Sequence, residues 1–464
     1  MVKLGSVEHP LRVAIVGAGP SGFYAISHFL KHKELHVELD LFDRLPTPYG
    51  LVRAGVAPDH QKDKSVTRAY AKSAAQPNVR FFGNVEYGKH IYMADLQAHY
   101  HQVIFTNGAP TDRDLGIAGE NLAGSYSATD FVAWYNGHPD YADYQFDLSQ
   151  ERVAIVGVGN VAMDVARILC KSMEQLQETD IADHALQALQ HSRVKQVYLL
   201  GRRGPAQAAF TPPEIKELGE LAEADIAISA DDARVDALSQ AAMDAHPDKN
   251  VEKNVGFITE YSQRPQRIKN KQLTLRFLVS PTEILGEAGK VTAIKLMHNE
   301  IYDAGDNLIR PRATGVEEVL PVGVVFRSVG YQGVPLDGIP FDERSSTISH
   351  QQGRVVTAEG QPLPGLYTAG WIKRGPTGVI GTNKTCAQET VACMVEDLLA
   401  GLHFNPVEPG VAAIEALIES RQPRFVTYAD WLKIDEAEIS RGEAQRRPRV
   451  KFVNVDEMLD IAGR

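Results

Sequence analysis

A strand–turn–helix pattern that occurs twice constrains the fold of this chain more than any other feature. In the first copy, four apolar residues at 13–16 precede three glycines with G-x-G-x-x-G spacing, Gly17, Gly19 and Gly22. The first glycine permits a tight turn, the second lets the backbone approach a pyrophosphate, and the third allows a helix to pack closely on the sheet. The phosphates would lie over the N-terminus of the helix that follows, so this stretch, with Pro20 among its residues, predicts a dinucleotide site.

The second copy lies 140 positions further along the chain, with Gly157 in the place of Gly17. An apolar strand at 152–156 again runs into glycines, now in a G-x-G-x-x-A pattern. Because one fingerprint forms one site, two copies predict two bound dinucleotides and two Rossmann-like domains. The residues expected at the second site are Gly159, Asn160, Val161 and Ala162.

The residue that follows the second strand of each unit indicates which nucleotide binds there. In the first unit, a predicted helix at 23–33 and a predicted strand at 37–42 lead to Asp43. A dinucleotide fold places an acid at this point, where it accepts hydrogen bonds from the ribose hydroxyls. A solvated aspartate in a turn is the alternative interpretation.

In the second unit, predicted helices at 163–173 and 179–190 precede a strand at 196–201, which ends at Arg202 and Arg203 instead of an acid. Two guanidinium groups offer fork-shaped donors to a 2′-phosphate, whereas an acid would repel it. One charge-assisted contact contributes about 1.5–3 kcal/mol, which is one or two decades of preference. The pair therefore predicts NADP(H) rather than NAD(H); an exposed basic turn is the alternative.

Composition narrows the class of protein. The chain has 464 residues, of which 44% are hydrophobic and 23% charged, as in a soluble globular protein of two or three domains. Its net charge of −11 argues against nucleic-acid binding, and no apolar run approaches the ~18 residues of a membrane helix. The first strand follows within a dozen residues, so we expect no targeting peptide, no membrane insertion and a cytoplasmic location.

The cysteines exclude one class of redox enzyme. Cys170, Cys386 and Cys393 form neither a C-x-x-C pair nor a metal-ligand cluster, so we expect buried free thiols and no metal site. Disulfide reductases built on two dinucleotide domains relay electrons through a paired dithiol. Without one, electrons must pass directly to an external acceptor, and the absence of a cysteine-rich segment makes an iron–sulfur carrier a separate protein.

The loop at 46–60 carries a resemblance to a known family. It reads P-T-P-Y-G-L-V-R-A-G-V-A-P-D-H and is apolar for a loop rich in proline and glycine, as if it packs on something. This run resembles adrenodoxin reductase and the bacterial ferredoxin–NADP⁺ reductases. The resemblance implies that Leu51 lies at FAD and that His60 lies beside the contact of flavin and nicotinamide; a structural histidine is the alternative.

The stretch at 201–218 resembles the same family. It matches the family pattern G-R-R-G-P-x-Q-x-A-F-T-x-x-E-L except for Ile215 in the last position. The match implies that Glu214 binds NADP(H) and makes Glu217 a candidate acid near the nicotinamide, although either could be a solvated residue of a helix face. It also implies that Arg113 binds NADP(H), with an exposed surface charge as the alternative.

A third match, at 369–384, reads A-G-W-I-K-R-G-P-T-G-V-I-G-T-N-K. Many two-dinucleotide flavoproteins have aspartate where this chain has Trp371, whereas the adrenodoxin-reductase-like form has tryptophan. Cys386 stands where the family often has an acid. The resemblance implies that the FAD site includes Val85 on a predicted strand at 78–85, together with Trp371, Gly378, Val379 and Ile380.

A basic stretch at 261–282 contains five cations and no acid in a chain of net negative charge: Arg264, Arg267, Lys269, Lys271 and Arg276. One interpretation is a docking surface for a small acidic ferredoxin, which opposite charge would steer and orient. The other is a charged hairpin with Leu273, Leu275 and Phe277 turned inward.

These patterns predict an α/β flavoprotein with two Rossmann-like three-layer dinucleotide-binding domains. The NADP domain, 109–330, is inserted into a discontinuous FAD domain made of 1–108 and 331–464. The resemblance implies an NADPH:ferredoxin oxidoreductase in which FAD takes hydride and passes single electrons to a transiently bound ferredoxin-type iron–sulfur protein, feeding a cytochrome P450 or similar chain. We expect a monomer or weak dimer. The alternatives are an NADPH-dependent flavin monooxygenase and an electron-distributing subunit of a larger complex.

Overall fold

The computed structural model describes residues 3–265, 268–305 and 308–464. The chain divides into two compact units, one formed by Met1–Thr111 with Tyr331–Arg464 and the other by Asp112–Gly330. The second unit is therefore inserted into the first. It begins at Asp112 where the sequence predicted 109, and it ends at Gly330, the predicted limit. Within the described residues, no helix has the length and apolar character needed to span a membrane.

The strands of the described residues, in chain order, are β1 Leu11–Val16, β2 Val37–Phe42, β3 Val79–Phe82, β4 Gln102–Phe105, β5 Thr111–Asp112, β6 Ser125–Ser127, β7 Arg152–Val156, β8 Gln196–Leu200, β9 Ala224–Ile228, β10 Lys271–Arg276, β11 Val279–Glu287, β12 Lys290–Asp303, β13 Ile309–Pro321, β14 Val324–Arg327, β15 Tyr331–Gln332, β16 Phe341–Asp342, β17 Thr347–Ile348, β18 His350–Gln351, β19 Arg354–Val356 and β20 Pro362–Thr368.

The α-helices are α1 Pro20–Phe29, α2 Leu51–Ala54, α3 Gln61–Lys64, α4 Thr67–Ala74, α5 Met93–His99, α6 Ala128–Tyr135, α7 Asn160–Cys170, α8 Met173–Gln177, α9 Asp183–Gln190, α10 Pro212–Gly219, α11 Ala237–Ala245, α12 Lys249–Ser262, α13 Trp371–Arg374, α14 Thr382–Leu399, α15 Val411–Arg421, α16 Tyr428–Glu443 and α17 Val455–Ala462, with 3₁₀ turns at Pro139–Tyr141 and Pro205–Gln207.

The first unit is built on a seven-stranded sheet in the order β18-β19-β20-β4-β1-β2-β3. The strands from β20 to β3 are parallel, and every residue of β1 is buried, as expected for a central parallel strand. Alternate residues of β1 enter different cores: Leu11 and Val13 join the core that contains α1 and α14, and Ala14 and Val16 join another. Both faces of the sheet are therefore covered, which gives three layers.

The second unit has a six-stranded parallel sheet in the order β6-β14-β7-β8-β10-β9. A separate antiparallel sheet, β11-β12-β13, packs beside it through a core that includes Val156, Ile284 and Ile294. The hairpin interpretation of the basic stretch is wrong, because β10 pairs in parallel with both β8 and β9. The predicted inward orientation of Leu273 and Leu275 is confirmed, because both residues are fully buried.

Several element limits differ from the expectation for local reasons. Helix α1 begins at Pro20 rather than 23, because a proline at the first helical position needs no hydrogen-bond partner for its nitrogen. Strand β3 ends at Phe82 rather than 85, because Asn84 adopts a left-handed backbone with φ 60°. The crossover after α7 contains two short helices, α8 and α9, instead of one.

One histidine makes the stability of the first sheet depend on pH. The backbone amide of Arg12, on β1, donates to Nδ1 of His101, at 3.0 Å, just before β4. Burial lowers the pKa of His101 to about 4, and the nearby His403 and Arg12 contribute in the same direction. The imidazole therefore stays neutral in the folded chain at pH values where the unfolded chain protonates it.

We expect the free energy of unfolding to fall between about pH 6.5 and pH 4 in part because of His101, since only the unfolded state binds this proton in that range. Asparagine in its place keeps an acceptor for the Arg12 amide but does not titrate. Urea unfolding of the wild-type chain and of His101→Asn at pH 7, 5.5 and 4.5 should give a flatter pH profile for the variant. Parallel profiles would contradict the assignment.

Candidate dinucleotide-binding sites

The first glycine turn joins β1 to α1 and has the geometry that its sequence predicts. Gly17 has φ +114°, and a Cβ there would lie 2.7 Å from the backbone of Thr106 and Asn107. A Cβ on Gly22 would lie 2.3 Å from the carbonyl oxygen of Gly17, so helix and turn touch directly. Around Gly19 the nearest atom to such a Cβ is 4.0 Å away, which leaves room for a ligand to approach the backbone.

The N-terminus of α1 fits a phosphate. Its N-cap residue, Gly19, offers no side-chain cap, and Pro20 occupies the first helical position. The first N–H groups of a helix have no partner within the helix, and the helix dipole adds positive potential at this end. The first site therefore presents an open backbone and unsatisfied donors, as an anionic pyrophosphate requires.

Asp43 follows β2 and lies against the turn. Its Oδ2 accepts from the amide of Ala18 at 2.8 Å, and its Oδ1 accepts from the amide of Leu45 at 3.0 Å. Burial raises the pKa of Asp43, although the two amide hydrogen bonds oppose the shift. Asp43 is half-buried, and both of its carboxylate oxygens have partners at the turn. Val85 is buried beside it and donates its amide to the Asp43 carbonyl at 2.8 Å.

The 46–60 loop packs on this turn. The amide of Tyr49 donates to the Ala18 carbonyl at 2.7 Å, and a Cβ on Gly50 would lie 2.9 Å from the Cα of Gly19. The loop then forms α2, which starts at the half-buried Leu51, and reaches His60 as the N-cap of α3. Leu51 and His60 therefore stand on one segment that is anchored to the glycine turn.

The 369–384 segment completes the candidate FAD site of the first unit. Trp371 begins α13; its buried indole Nε1 has no hydrogen-bond partner among the described residues. Gly378 has φ +78°, and Val379 is 54% exposed just before α14. A buried donor without an acceptor and an exposed valine at a helix N-terminus are both features that a bound ligand would satisfy. Ile380 is half-buried beside them.

One link within the first site was not predicted from the sequence. Asn383, in the first turn of α14, accepts from Ser21 Oγ at 3.2 Å and from the Arg374 guanidinium at 2.9 Å. It thereby joins the first fingerprint to the 369–384 segment. Nothing in a single sequence indicates this contact, because Ser21 and Asn383 are more than 350 positions apart.

The second glycine turn joins β7 to α7 and repeats the geometry of the first. Gly157 has φ +127°, and a Cβ there would lie 2.1 Å from the Ser328 carbonyl oxygen. A Cβ on Gly159 would meet no atom within 4 Å, so this glycine is open to a ligand. Asn160 starts α7 and accepts from the Thr211 amide at 2.9 Å. The remaining fingerprint residues follow in α7, Val161 half-buried and Ala162 buried.

Arg202 and Arg203 follow β8 with their backbone fixed and their side chains exposed. The Arg202 carbonyl accepts from Asn299 Nδ2 at 3.0 Å, and the Arg203 carbonyl accepts from the Leu278 amide at 3.1 Å. No acidic side chain among the described residues forms an ion pair with either guanidinium. Two unpaired cations on a rigid turn fit a phosphate group of a ligand.

Glu214 and Glu217 lie on α10 and both face Arg167, a residue that the sequence did not single out. Arg167 is 1% exposed; its Nη1 donates to Glu214 at 3.0 Å, its Nη2 donates to Asp164 at 2.6 Å, and its Nε lies 3.6 Å from Glu217. A buried arginine thus orients the two glutamates. Its only sequence signal is the i, i+3 spacing from Asp164 on α7. Arg113 lies elsewhere in this unit, exposed, with its amide bonded to the Gly330 carbonyl at 3.1 Å.

The described cations of the basic stretch have contacts within their own unit, and its role as a docking surface stays a prediction. Lys269 donates to the carbonyls of Leu221 and Ala224, and Lys271 donates to the Leu169 carbonyl at 2.8 Å. The other two described cations are also engaged: Arg264 with the Gly219 carbonyl at 2.8 Å and Glu260 at 2.8 Å, and Arg276 with Glu318 at 2.9 Å. Arg267 lies outside the described residues. The four described cations serve the unit's own carbonyls and carboxylates.

The three cysteines are free and buried, as expected. Burial raises the pKa of Cys170 to about 12, so its thiol is protonated and inert near neutral pH. Cys386 Sγ accepts from the Gly370 amide at 3.2 Å, which gives it a structural contact at the edge of the 369–384 segment.

Comparison with known proteins shows which family the chain belongs to. No family model matches the chain. The NADPH-ferredoxin reductase FprA of Mycobacterium leprae is 44% identical over 98% of this chain and 99% of its own, and the mitochondrial NADPH:adrenodoxin oxidoreductase of Arabidopsis thaliana is 38% identical over 98% and 96%. The solved structure of Mycobacterium tuberculosis FprA in complex with NADPH superposes with a TM-score of 0.93, at 42% identity, over 98% of this chain and 100% of that one. This chain therefore belongs to the NADPH–ferredoxin reductase family, which includes the adrenodoxin reductases.

Proposed function

We propose that this protein is an FAD-dependent NADPH:ferredoxin oxidoreductase of the EC 1.18.1 class. The proposal depends most on one observation in this chain: the two glycine turns are followed by residues of opposite charge. The first turn is followed by Asp43, and the second by the exposed pair Arg202 and Arg203. An acid suits ribose hydroxyls and an arginine pair suits a 2′-phosphate, so FAD belongs to the first unit and NADP(H) to the second.

Helix N-termini and side chains of the two units would bind the two cofactors. The N-termini of α1 and α14 offer N–H groups and positive potential, the first to the pyrophosphate and the second to negative charge on the flavin. Bound FAD supplies hydride acceptance and one-electron donation, which no side chain can provide. The FAD set comprises Gly17, Gly19, Pro20, Gly22, Asp43, Leu51, Val85, Trp371, Gly378, Val379 and Ile380; the NADP(H) set comprises Arg113, Gly159, Asn160, Val161, Ala162, Arg202, Arg203 and Glu214.

His60 and Glu217 would polarise or position groups where nicotinamide and flavin meet. His60 is 14% exposed at the end of the anchored 46–60 loop, and Glu217 is 43% exposed beside Arg167. Both side chains are therefore partly accessible to a ligand. If His60→Ala and Glu217→Ala transfer hydride at the wild-type rate, neither residue has a role in the reaction.

The acceptor we propose is a ferredoxin-type iron–sulfur protein that binds transiently in the cytoplasm, as part of a cytochrome P450 or similar chain. Two observations support an external one-electron acceptor: relatives are named for ferredoxin and adrenodoxin, and this chain's thiols are buried and unpaired. We propose a monomer or weak dimer.

The proposal is tested by reduction of cytochrome c with the purified holoenzyme. We expect NADPH to drive the reaction with saturable dependence on an added ferredoxin, and NADH to be at least tenfold less efficient, because about 1.5 kcal/mol per arginine contact corresponds to that ratio. Substrate-dependent oxygen uptake without ferredoxin dependence would instead indicate a monooxygenase. Activity only in the presence of further subunits would indicate part of a larger complex.

A further inference from the structure

The segment 425–452 lies outside both glycine fingerprints. It nevertheless contacts the 46–60 loop at three points. Arg53, on α2, points its guanidinium at Glu438 of α16 through two hydrogen bonds, Nη1 at 2.8 Å and Nη2 at 2.5 Å. Lys451 Nζ donates to the Arg53 carbonyl at 3.1 Å. The hydroxyl groups of Tyr49 and Tyr428 lie 3.2 Å apart. The same segment therefore holds the side chain of Arg53, its main-chain carbonyl and the hydroxyl of Tyr49.

Glu438 is the centre of these contacts. It is fully buried, and besides Arg53 it accepts from Arg449 Nη1 at 3.2 Å and from the Phe452 amide at 2.9 Å. Burial alone would raise the pKa of Glu438, but Arg53 and Arg449 outweigh it and hold the pKa below its ordinary value. The carboxylate is therefore ionised and saturated with donors, which is the condition for a buried ion pair to persist.

The loop cannot hold its conformation by local interactions alone. Helix α2 is a single turn of four residues, and a helix this short is not stable by itself. It follows two left-handed residues, Tyr49 with φ +85° and Gly50 with φ +49°, and the first of these is strained for a residue with a side chain. The surrounding structure must impose this conformation.

The contacts on Arg53 supply that constraint. Its guanidinium lies 5.2 Å from the ring of Trp431, which in turn meets Tyr49 edge-on with centroids 5.8 Å apart. Arg53 is thus fixed both by an aromatic ring and by a bidentate carboxylate. Leu51 and His60, on either side of it in the chain, are held with it.

We propose that Glu438 is a positioning residue for the flavin reaction, which acts through Arg53 to set the loop that carries Leu51 and His60. This inference rests on the proposed function, in which that loop lies along FAD. Glu438 does not touch the reacting atoms. Its effect is to fix the orientation of the loop that would lie along the cofactor and that carries His60 at its end.

The experiment uses the FAD-loaded enzyme and the variants Glu438→Gln and Arg53→Lys. Glutamine keeps the shape of the carboxylate and removes its charge, and lysine keeps the charge and removes the second hydrogen bond. We expect kcat for NADPH oxidation to fall about ten- to a hundredfold, because a displacement of the order of 1 Å has that effect on an oriented reaction. The KM for NADPH should stay within about twofold, since the nucleotide binds the other unit, and the visible absorption band of bound FAD should shift.

Asp456→Asn is the matched control. Asp456 belongs to the same C-terminal region and pairs with Arg424 at 2.9 Å, but it is 79% exposed and, among the described residues, forms no hydrogen bond or ion pair with the 46–60 loop. It should leave kcat and the flavin spectrum unchanged. Wild-type kcat and spectrum in both test variants would overturn the proposal, even if they melt at a lower temperature.

Two further outcomes are decisive. If Glu438→Gln does not fold, Arg53→Lys decides the matter, because it leaves the buried Glu438–Arg449 pair in place. If the wild-type enzyme itself shows no NADPH-driven reduction of ferredoxin, the proposed function has failed, whereas normal wild-type activity with unaffected variants refutes only the role of Glu438.

Discussion

The double variant Arg202→Ala/Arg203→Ala is expected to lose a hundredfold or more in kcat/KM with NADPH and to change little with NADH. Each guanidinium contact to the 2′-phosphate contributes about 1.5–3 kcal/mol, and NADH has no phosphate to lose. The two side chains are exposed on a turn whose backbone is fixed by Asn299 and Leu278, so their removal should not disturb the fold. Steady-state kinetics with both coenzymes measure the effect.

Arg234→Ala is the control for loss of positive charge. Arg234 lies in the same unit and is 74% exposed, and among the described residues its side chain forms one ion pair, of 3.4 Å, with Asp231. It should leave the ratio of the two coenzymes unchanged. An equal fall for NADPH and NADH in the double variant would mean that the arginines support the unit rather than recognise phosphate.

Gly17→Ala is expected to prevent stable binding of FAD. The backbone of Gly17 has φ +114°, and the added Cβ would stand 2.7 Å from main-chain atoms of Thr106 and Asn107, which cannot rotate away. Backbone strain of about 1–3 kcal/mol would add to the displacement of the turn that we propose lines the pyrophosphate. We expect a loss in FAD affinity of about a hundredfold or more, and a protein purified nearly free of yellow colour.

The flavin content per chain, from absorbance at 450 nm against protein concentration, measures this loss. Gly410→Ala serves as control in the same unit, because Gly410 has φ −68° and a Cβ there would have no neighbour closer than 4.0 Å. It should retain one FAD per chain. A full complement of FAD in Gly17→Ala would contradict the role given to the first fingerprint.

The parts of the fold that depend on local rules could be predicted from the sequence. Two apolar-strand and glycine patterns identify β1, β7 and the turns that follow them, because a left-handed glycine or a close Cβ contact is needed at Gly17 and Gly157 whatever lies further along the chain. The arginine pair is similarly local: it follows β8 directly, and its exposure needs no distant partner.

The parts of the fold that depend on contacts between distant residues could not be predicted from the sequence. Arg53 and Glu438 are 385 positions apart, and neither has a sequence environment that distinguishes it from an exposed charge. The basic stretch shows the same limit: alternating leucines in 271–277 suit a hairpin as well as a central parallel strand. Only the sheet order, with β10 between β8 and β9, explains why its lysines reach carbonyls of neighbouring elements.

The insertion of Asp112–Gly330 into the first unit also fixes an order of events during synthesis. Strand β4 emerges from the ribosome early, but its parallel neighbour β20 is translated only after the whole inserted segment. At ~5–20 residues per second this delay is on the order of 10–50 s. The inserted unit, being continuous, can finish folding first, while the unpaired edge of β4 stays open to chaperones or to aggregation.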